Sequence, residues 1–325
     1  MFESTRNTTL LFKFAEPLSL AIILEASGYP KPGNIHRFRD KQYMRYEAFL
    51  ATGVLSYKYF LKGLKRGFRG AFKEVVIGDL VYGLVSDVID WVKSSNTCLG
   101  SALLLNLMSV SIGFLLSKSG GNLQQLSSCA KEVASRTTVL DTVYYYMAIR
   151  KARPSYLKPD DNTEPFVNVW DPFFKEKLML KGHRLVDVLL YSSKFDIVAK
   201  EAISGFEQGI LAEQFLRKRF EEHRNLNRAI VETYLYLLAN NVDTVVMLKH
   251  GHAIATSISS RAADVLKEVI SADNDKWISV VRHFDEELQA ANINPGSVAD
   301  LTAEVIALYM VRNILEKSEL LDLSY

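Results

Sequence analysis

The feature that most constrains the fold of this chain is the dominance of helical periodicity over strand alternation. Apolar residues recur at helical spacing through most of the sequence, which is the pattern of helices that bury one face. Proline, which disrupts helices, occurs only 8 times in 325 residues. We therefore predict an all-α protein that forms a single multi-helix domain over residues 1–325.

The helical pattern breaks down over one long stretch, residues 152–182. Four of the prolines stand there among polar and aromatic residues: Pro154, Pro159, Pro165 and Pro172. Long loops without regular structure are uncommon in compact domains and are often functional. We predict a long irregular loop or lid near residues 152–182, with helices of the same character on both sides.

The run Leu99–Leu116 raises the question of a membrane span, because it extends for 18 residues without a charge. It also contains an asparagine, three serines and two glycines, and no other segment resembles a span. We predict that it forms the central buried helix of a protein that does not associate with a membrane.

Composition narrows the range of partners. The formal net charge is +2, which gives no global reason to expect nucleic acid. The two cysteines, Cys98 and Cys129, have neither metal-ligand spacing nor a disulfide framework, so we predict a reduced, cytoplasmic setting. The sequence is compatible with either a monomer or a homo-oligomer.

A polar loop follows the first predicted helix, which we expect to run from Glu16-Pro17 to Gly28. Glu25 lies at helical spacing from Leu18, on an apolar stripe. Burying a carboxylate without a partner is costly, so we expect a cation, a metal or a raised pKa beside it.

The loop itself is stiffened by prolines and carries four side chains that suit an anionic ligand: Lys31, Asn34, His36 and Arg37. We predict that these residues bind a nucleotide or its phosphates. The alternative is a surface loop whose basic residues are solvated, with Glu25 paired to one of them.

A second basic stretch, Lys62–Gly70, is rich in glycine. We interpret it as a connection after a helix that runs from Arg45 to Tyr59. Contact with phosphates is one reading of its charges, and a solvated turn is the other.

Two further segments carry polar groups next to apolar helices. Asn96 and Thr97 precede the uncharged run, where they could cap its helix or help to bind phosphate at the helix N-terminus. Lys249 and His250 stand within an otherwise apolar predicted helix and would also suit a phosphate. His250 and His252 are two residues apart and so do not share a helical face, which disfavours a zinc pair.

Three more acids complete the candidate site. Glu232 repeats the pattern of Glu25, because it too is a carboxylate among predicted core residues. Two acids that meet in a cleft commonly hold Mg²⁺ or share a proton. Asp243 lies in a turn or N-cap cluster. Ser297 and Asp300 have capping-box spacing at the start of the last helix, which is an adequate structural explanation by itself.

These fragments together resemble the ATP:dephospho-coenzyme A triphosphoribosyltransferase family over nearly the whole chain. The resemblance is carried by Glu25 with Lys31-Pro-Gly-Asn-Ile-His-Arg37, Asn96-Thr97 with Gly100, the Glu232-Thr and Asp243-Thr region, and Pro295-Gly with Ala299-Asp-Leu301. The chain differs from the bacterial pattern at His36, Cys98 and Ser297, and it lacks the Ala-His-x-Asp-Met element.

The resemblance implies a transferase that moves the 5-triphosphoribosyl group of ATP to the ribose 2′-hydroxyl of 3′-dephospho-CoA, with release of adenine. In that reaction we expect Glu25 and Glu232 to stabilise positive charge on the sugar and to accept the hydroxyl proton. Asp243 and Asp300 would hold Mg²⁺ against the triphosphate.

Two alternatives stay open at this point. One is a related ribosyl transfer to another hydroxyl-bearing cofactor precursor, since acceptor contacts differ most easily between relatives. The other is a non-catalytic helical protein that binds nucleotides.

Overall fold

The structure is a computed structural model that describes residues 2–41, 44–272 and 276–321, with side chains from residue 9 onward. These residues form helices and contain no strand, which confirms the all-α prediction. The helices are α1 (Phe2–Ser27), α2 (Tyr46–Phe68), α3 (Gly78–Asp87, continued by a π-helical turn, Val88–Val92), α4 (Leu99–Ser117), α5 (Leu123–Ser135), α6 (Val139–Ala152), α7 (Phe174–Lys181), α8 (Leu185–Ser192), α9 (Ile197–Ser204), α10 (Glu207–His223), α11 (Leu226–Asn240), α12 (Thr244–His250), α13 (His252–Ser271), α14 (Lys276–Ala290) and α15 (Gly296–Lys317).

Helix α4 occupies the centre of the main apolar core, which draws on helices from α1 to α15. It is long and apolar enough to cross a membrane, but 83% of its apolar window is buried inside the protein. Helices α1, α2, α3, α5 and α15 pack around it. The predicted central buried helix is therefore confirmed.

The contact between α2 and α4 is very close because glycines remove side chains from it. A Cβ atom at Gly67 would collide with the backbone of α4 at Val110, and one at Gly113 would collide with α2 at Leu64. This packing corrects the prediction of a connection over Lys62–Gly70. The glycines serve helix packing, and α2 continues to Phe68.

Helix α1 begins earlier than the sequence suggested, at Phe2 rather than at Glu16-Pro17. Pro17 lies inside it and costs one backbone hydrogen bond. Phe14 and Leu18 on either side are at most 1% exposed, so burial against the core holds the helix through the proline.

The irregular segment is shorter than predicted, because α7 occupies the end of the range 152–182. Residues 153–173 have no helix and pack against a second, smaller apolar cluster that includes Tyr146 and Val167. Tyr146 Oη donates to the carbonyl of Val167 at 2.8 Å, and Arg150 donates to the carbonyl of Val169 at 2.8 Å. This segment is therefore fixed in place by α6.

Candidate active site

A buried ion pair joins the end of α1 to the loop that follows it. Lys31 Nζ donates to the carboxylate of Glu25 and, at 2.9 Å, to its carbonyl oxygen. Burial raises the pKa of Glu25 and lowers the pKa of Lys31, and each shift is opposed by the charge of the other group. The expectation that Glu25 has a partner is confirmed.

Asp285 on α14 holds this loop, and sequence reasoning missed it. Its carboxylate accepts the backbone N–H of Gly33 at 2.9 Å and lies 3.2 Å from His36 Nε2. Asn34 Nδ2 donates to the carbonyl of Pro295 at 3.2 Å. The loop is thus tied to a part of the chain more than 240 residues away, by groups that give no local signal in the sequence.

The other two predicted ligands of the loop are engaged by the protein. His36 Nδ1 accepts the N–H of Phe38 at 3.3 Å, so both of its ring nitrogens have protein partners. Arg37 donates to the carbonyl of Ser27 at 2.8 Å and to Asn227 at 2.7 Å. Both side chains therefore fix the loop relative to α1, α11 and α14.

Asp300 lies on α15, but it binds the N-terminus of α4. Its Oδ1 accepts the backbone N–H of Ser101 at 2.8 Å. The predicted capping box of Ser297 and Asp300 is therefore wrong: the residue before α15 is Pro295, and no side chain caps that helix locally. Local spacing could not reveal that the partner of Asp300 lies 199 residues away.

Asp243 joins two helix ends in the same way. It caps its own helix, α12, by accepting the N–H of Val246 at 2.9 Å, and it accepts the N–H of Val298 in α15 at 2.8 Å. The predicted N-cap role is confirmed. The N-termini of α4, α12 and α15 are thus each met by a buried or half-buried carboxylate, and helix N-termini are also favourable sites for anions.

Glu25, Asp243 and Asp300, which we call the acid cluster, lie close enough to influence one another. Burial raises the pKa of Asp300 to about 7, and the charges of Glu25 and Asp243 add to that shift. Burial raises the pKa of Asp243 to about 6, against the hydrogen bonds from Val246 and Val298. Lys31 lies in the field of both Glu25 and Asp300.

Asn96 and Thr97 lie beside this cluster, at the start of α4. Asn96 Oδ1 accepts the N–H groups of Cys98 and Leu99 at 3.2 and 3.0 Å, so it satisfies free N–H groups at the helix start as predicted, although the N-cap residue itself is Cys98. Thr97 Oγ1 is hydrogen-bonded to Thr52 Oγ1 at 2.9 Å. Burial raises the pKa of Cys98 to about 12, so its thiol stays protonated and is a poor nucleophile.

Two tyrosines face the acid cluster from the side of α6 and the irregular segment, Tyr145 and Tyr156. Burial and nearby carboxylates, Asp196 and Asp300 among them, raise the pKa of each phenol. Lys249 Nζ lies 6.0 Å from the ring centroid of Tyr156. The long interruption in helical pattern was the sequence signal for this side of the site.

Two lysines supply positive charge at this site, Lys249 at the end of α12 and Lys41 beyond the loop. Burial and the charge of Lys249 lower the pKa of Lys41 to about 8. Sequence reasoning missed Lys41, which has no motif around it.

His250 is the last residue of α12 and is half-buried. Gly251 then separates α12 from α13, so the predicted continuous helix is broken.

The structure does not bring Glu232 to the acid cluster. Asn227 and Tyr234 on α11 contact the loop through the carbonyls of Tyr29 and Pro32, at 2.6 and 2.8 Å. Glu232 is two residues from Tyr234, about 200° round the helix, and so lies on the opposite face.

On that opposite face Glu232 forms a separate ionic network. Arg219 Nε donates to it at 2.6 Å and Arg228 Nε at 2.8 Å, and His223 lies 3.6 Å away. Glu232 is fully buried. Arg219 joins α10 to it, and Arg228 pairs with it within α11. The contacts are those of a structural ion pair.

Among the described residues, no group of three or more His, Cys, Asp or Glu side chains is arranged to hold a metal ion. Mg²⁺ often needs only one or two carboxylates, with water and substrate phosphate completing its shell. Asp243 and Asp300 each accept backbone hydrogen bonds and keep further lone pairs, and a cation would relieve the repulsion between them. The oxygen ligands of these two residues therefore fit a magnesium ion.

Comparison with known proteins accounts for these features. The sequence model of the ATP:dephospho-CoA triphosphoribosyl transferase family matches residues 12–319. The chain belongs to this family. It is a transferase, and the family reaction is transfer of the triphosphoribosyl group of ATP to dephospho-CoA. The segments that carry the resemblance in the sequence include the loop after α1, the start of α4 and the start of α15, where the acid cluster is assembled.

The fold also matches a solved structure. A crystal structure from Archaeoglobus fulgidus, which carries the provisional name triphosphoribosyl-dephospho-CoA synthase, superimposes with a TM-score of 0.61 at 22% identity. The match covers 81% of this chain and 98% of that one. No curated protein matches the sequence significantly.

Proposed function

We propose that this triphosphoribosyltransferase carries out its reaction at the acid cluster, with the ribose 2′-hydroxyl of 3′-dephospho-CoA as acceptor and adenine as the leaving group. The observation that carries the proposal is the meeting of the Glu25–Lys31 pair with Asp243 and Asp300 at the ends of three helices. The family motifs contribute each of these residues.

Glu25 is the residue we assign to the reacting sugar. Loss of adenine leaves positive charge on C1′ and the ring oxygen of the ribose, and a carboxylate beside them stabilises that charge. Because burial raises its pKa, Glu25 is also a stronger proton acceptor than an exposed glutamate, as the attacking hydroxyl requires. Lys31 holds the carboxylate in position through its own two hydrogen bonds.

The triphosphate needs positive charge close to these acids. Lys41 and Lys249 supply it from two elements, and the pKa of Lys41 is already lowered by the charge of Lys249. An anion between them would relieve that repulsion. We therefore assign both lysines to the phosphate tail. The N–H groups of Cys98, Leu99 and Ser101 at the start of α4 already donate to Asn96 and Asp300, so this helix end contributes its dipole to the phosphate site.

Asp243 and Asp300 are the residues that would hold Mg²⁺, which when bound neutralises phosphate charge. For this they must be ionised, and the pKa of about 7 for Asp300 places that ionisation near neutral pH. Tyr145 and Tyr156 are buried close enough to Asp300 for its charge to raise the pKa of both phenols, and we assign them to shielding the cluster from water, which would strengthen its electrostatic interactions.

Glu232 is assigned a structural role, because two arginines already neutralise it on the other face of α11. His36 and Arg37 are assigned to holding the loop, and His250 to the edge of the phosphate site next to Lys249.

The test is to incubate the purified protein with ATP and Mg²⁺, with and without 3′-dephospho-CoA, and to quantify adenine by liquid chromatography. Adenine that appears only with dephospho-CoA, together with a product heavier by the triphosphoribosyl group, is the expected result. If adenine appears only with a different hydroxyl-bearing acceptor, that compound and not 3′-dephospho-CoA is the acceptor. Release under no condition would overturn the catalytic assignment.

A further inference from the structure

A cleft at the far end of α2 is lined almost entirely by cations. Its volume is about 300 Å³, and its walls are Lys62, Lys65, Arg66, Arg69 and Ala71. The reaction at the acid cluster makes no use of it. The same residues stood out in the sequence as a basic stretch.

The helical structure of this stretch explains why its charges converge. Lys62, Lys65 and Arg66 lie in the last turns of α2, and Arg69 is its C-cap residue with a right-handed backbone. The spacing of three and four residues therefore places all four side chains on one face. From Lys62 to Arg69 the face extends for about 10 Å along the axis, because each residue rises 1.5 Å. A basic face of this length matches a small anion better than a polymer.

One of the four cations is already neutralised. Arg66 donates to both carboxylate oxygens of Asp79, at 2.6 and 2.7 Å, and to the carbonyl of Val76 at 2.8 Å. This fork fixes the guanidinium as part of the wall and ties α2 to α3. The positive charge of the cleft therefore comes from its three other cations, Lys62, Lys65 and Arg69.

Lys62, Lys65 and Arg69 form no ion pair within the described residues. Lys62 Nζ lies 5.4 Å from the ring centroid of Tyr59, and Lys65 Nζ lies 5.9 Å from that of Phe12. The aromatic rings give the two ammonium groups a weak attraction. Lys62 also interacts with the charge of Asp87, whose own ion-pair partner is Lys58. Like charges at these spacings repel, and a bound anion would remove that repulsion.

The cleft is separate from the acid cluster. Helix α2 contacts that cluster near its beginning, where Thr52 bonds to Thr97, whereas Lys62 lies 10 residues further along. The separation along the helix axis is therefore about 15 Å or more. The whole chain has a formal net charge of only +2, so the positive potential here is local.

We propose that the cleft of Lys62, Lys65 and Arg69 binds a small oligophosphate, as a second anion site distinct from the reaction site. Several charges on one small ligand match three cations on one helix face. A single phosphate would engage fewer of them and bind more weakly.

The proposal is tested by calorimetric titration of the full-length protein with inorganic tripolyphosphate. The variant replaces the three cations by glutamine, Lys62→Gln, Lys65→Gln and Arg69→Gln, and leaves Arg66 intact. The control removes three exposed lysines elsewhere, Lys175→Gln, Lys181→Gln and Lys200→Gln. Tripolyphosphate should also bind at Lys41 and Lys249 in all three proteins. Beyond that, we expect wild type and control to show a second binding event that the cleft variant loses or shows at least tenfold weaker, while its acceptor-dependent adenine release is unchanged.

Equal isotherms for wild type and cleft variant would overturn the proposal, as would an equal loss in the control, which would indicate a general charge effect. Binding of polyglutamate without binding of tripolyphosphate would also overturn it, in favour of an acidic protein partner. If the cleft variant does not fold, wild-type crystals soaked in tripolyphosphate decide the matter. Electron density for the tripolyphosphate in the cleft, away from neighbouring molecules, supports the site, and an empty cleft rejects it.

Discussion

Glu25 and Glu232 show how far a single residue can be interpreted from sequence. Both are carboxylates in apolar helical stripes, and both are buried as predicted. Their partners separate them: Glu25 has one lysine and lies near two other acids, whereas Glu232 has two arginines. The apolar pattern predicts burial, but the partners of Glu232 depend on how α10 and α11 pack, which the pattern does not contain.

The two acids provide a matched pair of substitutions. Glu25→Gln and Glu232→Gln each break a buried ion pair, which typically costs about 3–5 kcal/mol of stability. Only Glu25→Gln should also lower adenine release per folded molecule, by about 100-fold or more, the usual contribution of an acid–base group. Urea unfolding gives the first quantity and single-turnover adenine release gives the second. A folded Glu25→Gln protein with normal turnover would reject the role of Glu25.

Asp300 should make stability and activity depend on pH in opposite directions. Its pKa is about 7 in the folded protein and about 3.9 in an unfolded chain. Between these values the folded state binds more protons, so its contribution to stability decreases as pH rises from about 4 to 7. Activity should rise over the upper part of that window as the carboxylate ionises and can hold a cation.

The measurement is the free energy of unfolding of wild type and Asp300→Asn from pH 4 to 8. The variant cannot ionise at this position, so its stability relative to wild type should increase with pH across the window. A constant difference between the two proteins would contradict the raised pKa of Asp300.

At the scale of helices and loops, the sequence was most informative where the signal is local. The buried helix α4 follows from its own uncharged run. Asp243 caps the helix that begins beside it, and Asn96 accepts the N–H of the first residue of α4. The prediction of a capping box at Ser297 and Asp300 was wrong because Asp300 accepts a hydrogen bond from Ser101 instead. That bond joins α15 to α4, which are distant in the sequence. The prediction of a connection over the glycines of α2 was wrong for a similar reason, because their role depends on contact with α4.

The loop after α1 offers a prediction at this scale. Gly33 has φ +72°, and a Cβ there would lie 2.7 Å from the carbonyl oxygen of Ile293. Gly33→Ala should therefore add a steric clash to the cost of a left-handed alanine and displace Lys31. Gly182 is a matched control, with φ +68° and open space around it.

We expect Gly182→Ala to cost about 1–2 kcal/mol of unfolding free energy, the penalty for the left-handed conformation alone. Gly33→Ala should cost clearly more and should also reduce adenine release. Equal costs in urea unfolding, with activity retained, would show that the loop can relax away from Ile293.

At the scale of the whole molecule, the site draws on segments from both ends of the chain. Gly33 and Asp285 are 252 residues apart, and Asn34 and Pro295 are 261 apart. The resemblance to a family predicted which segments matter. Which side chains meet, including Asp285, Lys41 and Tyr156, depends on the relative placement of the helices, and sequence pattern alone does not contain it.

Lys41 and Lys249 test this long-range assembly. Lys41→Gln and Lys249→Gln should each raise the KM for ATP by about tenfold, since each removes one charge from the phosphate tail, with a smaller effect on kcat. The double variant should deviate from additivity, because the charges of the two lysines interact. Lys200→Gln, a substitution of an exposed lysine elsewhere, should leave the KM unchanged.

An unchanged KM in both single variants would remove the two lysines from the phosphate site. Strict additivity in the double variant would indicate that they do not act on the same ligand.

The bond between Asp300 and Ser101 also bears on how the protein is made. Helix α4 receives this N-terminal partner from α15, so a nascent chain on the ribosome has no complete site until synthesis has passed residue 300. Prematurely terminated translation products will therefore be catalytically silent, however well their earlier helices have folded.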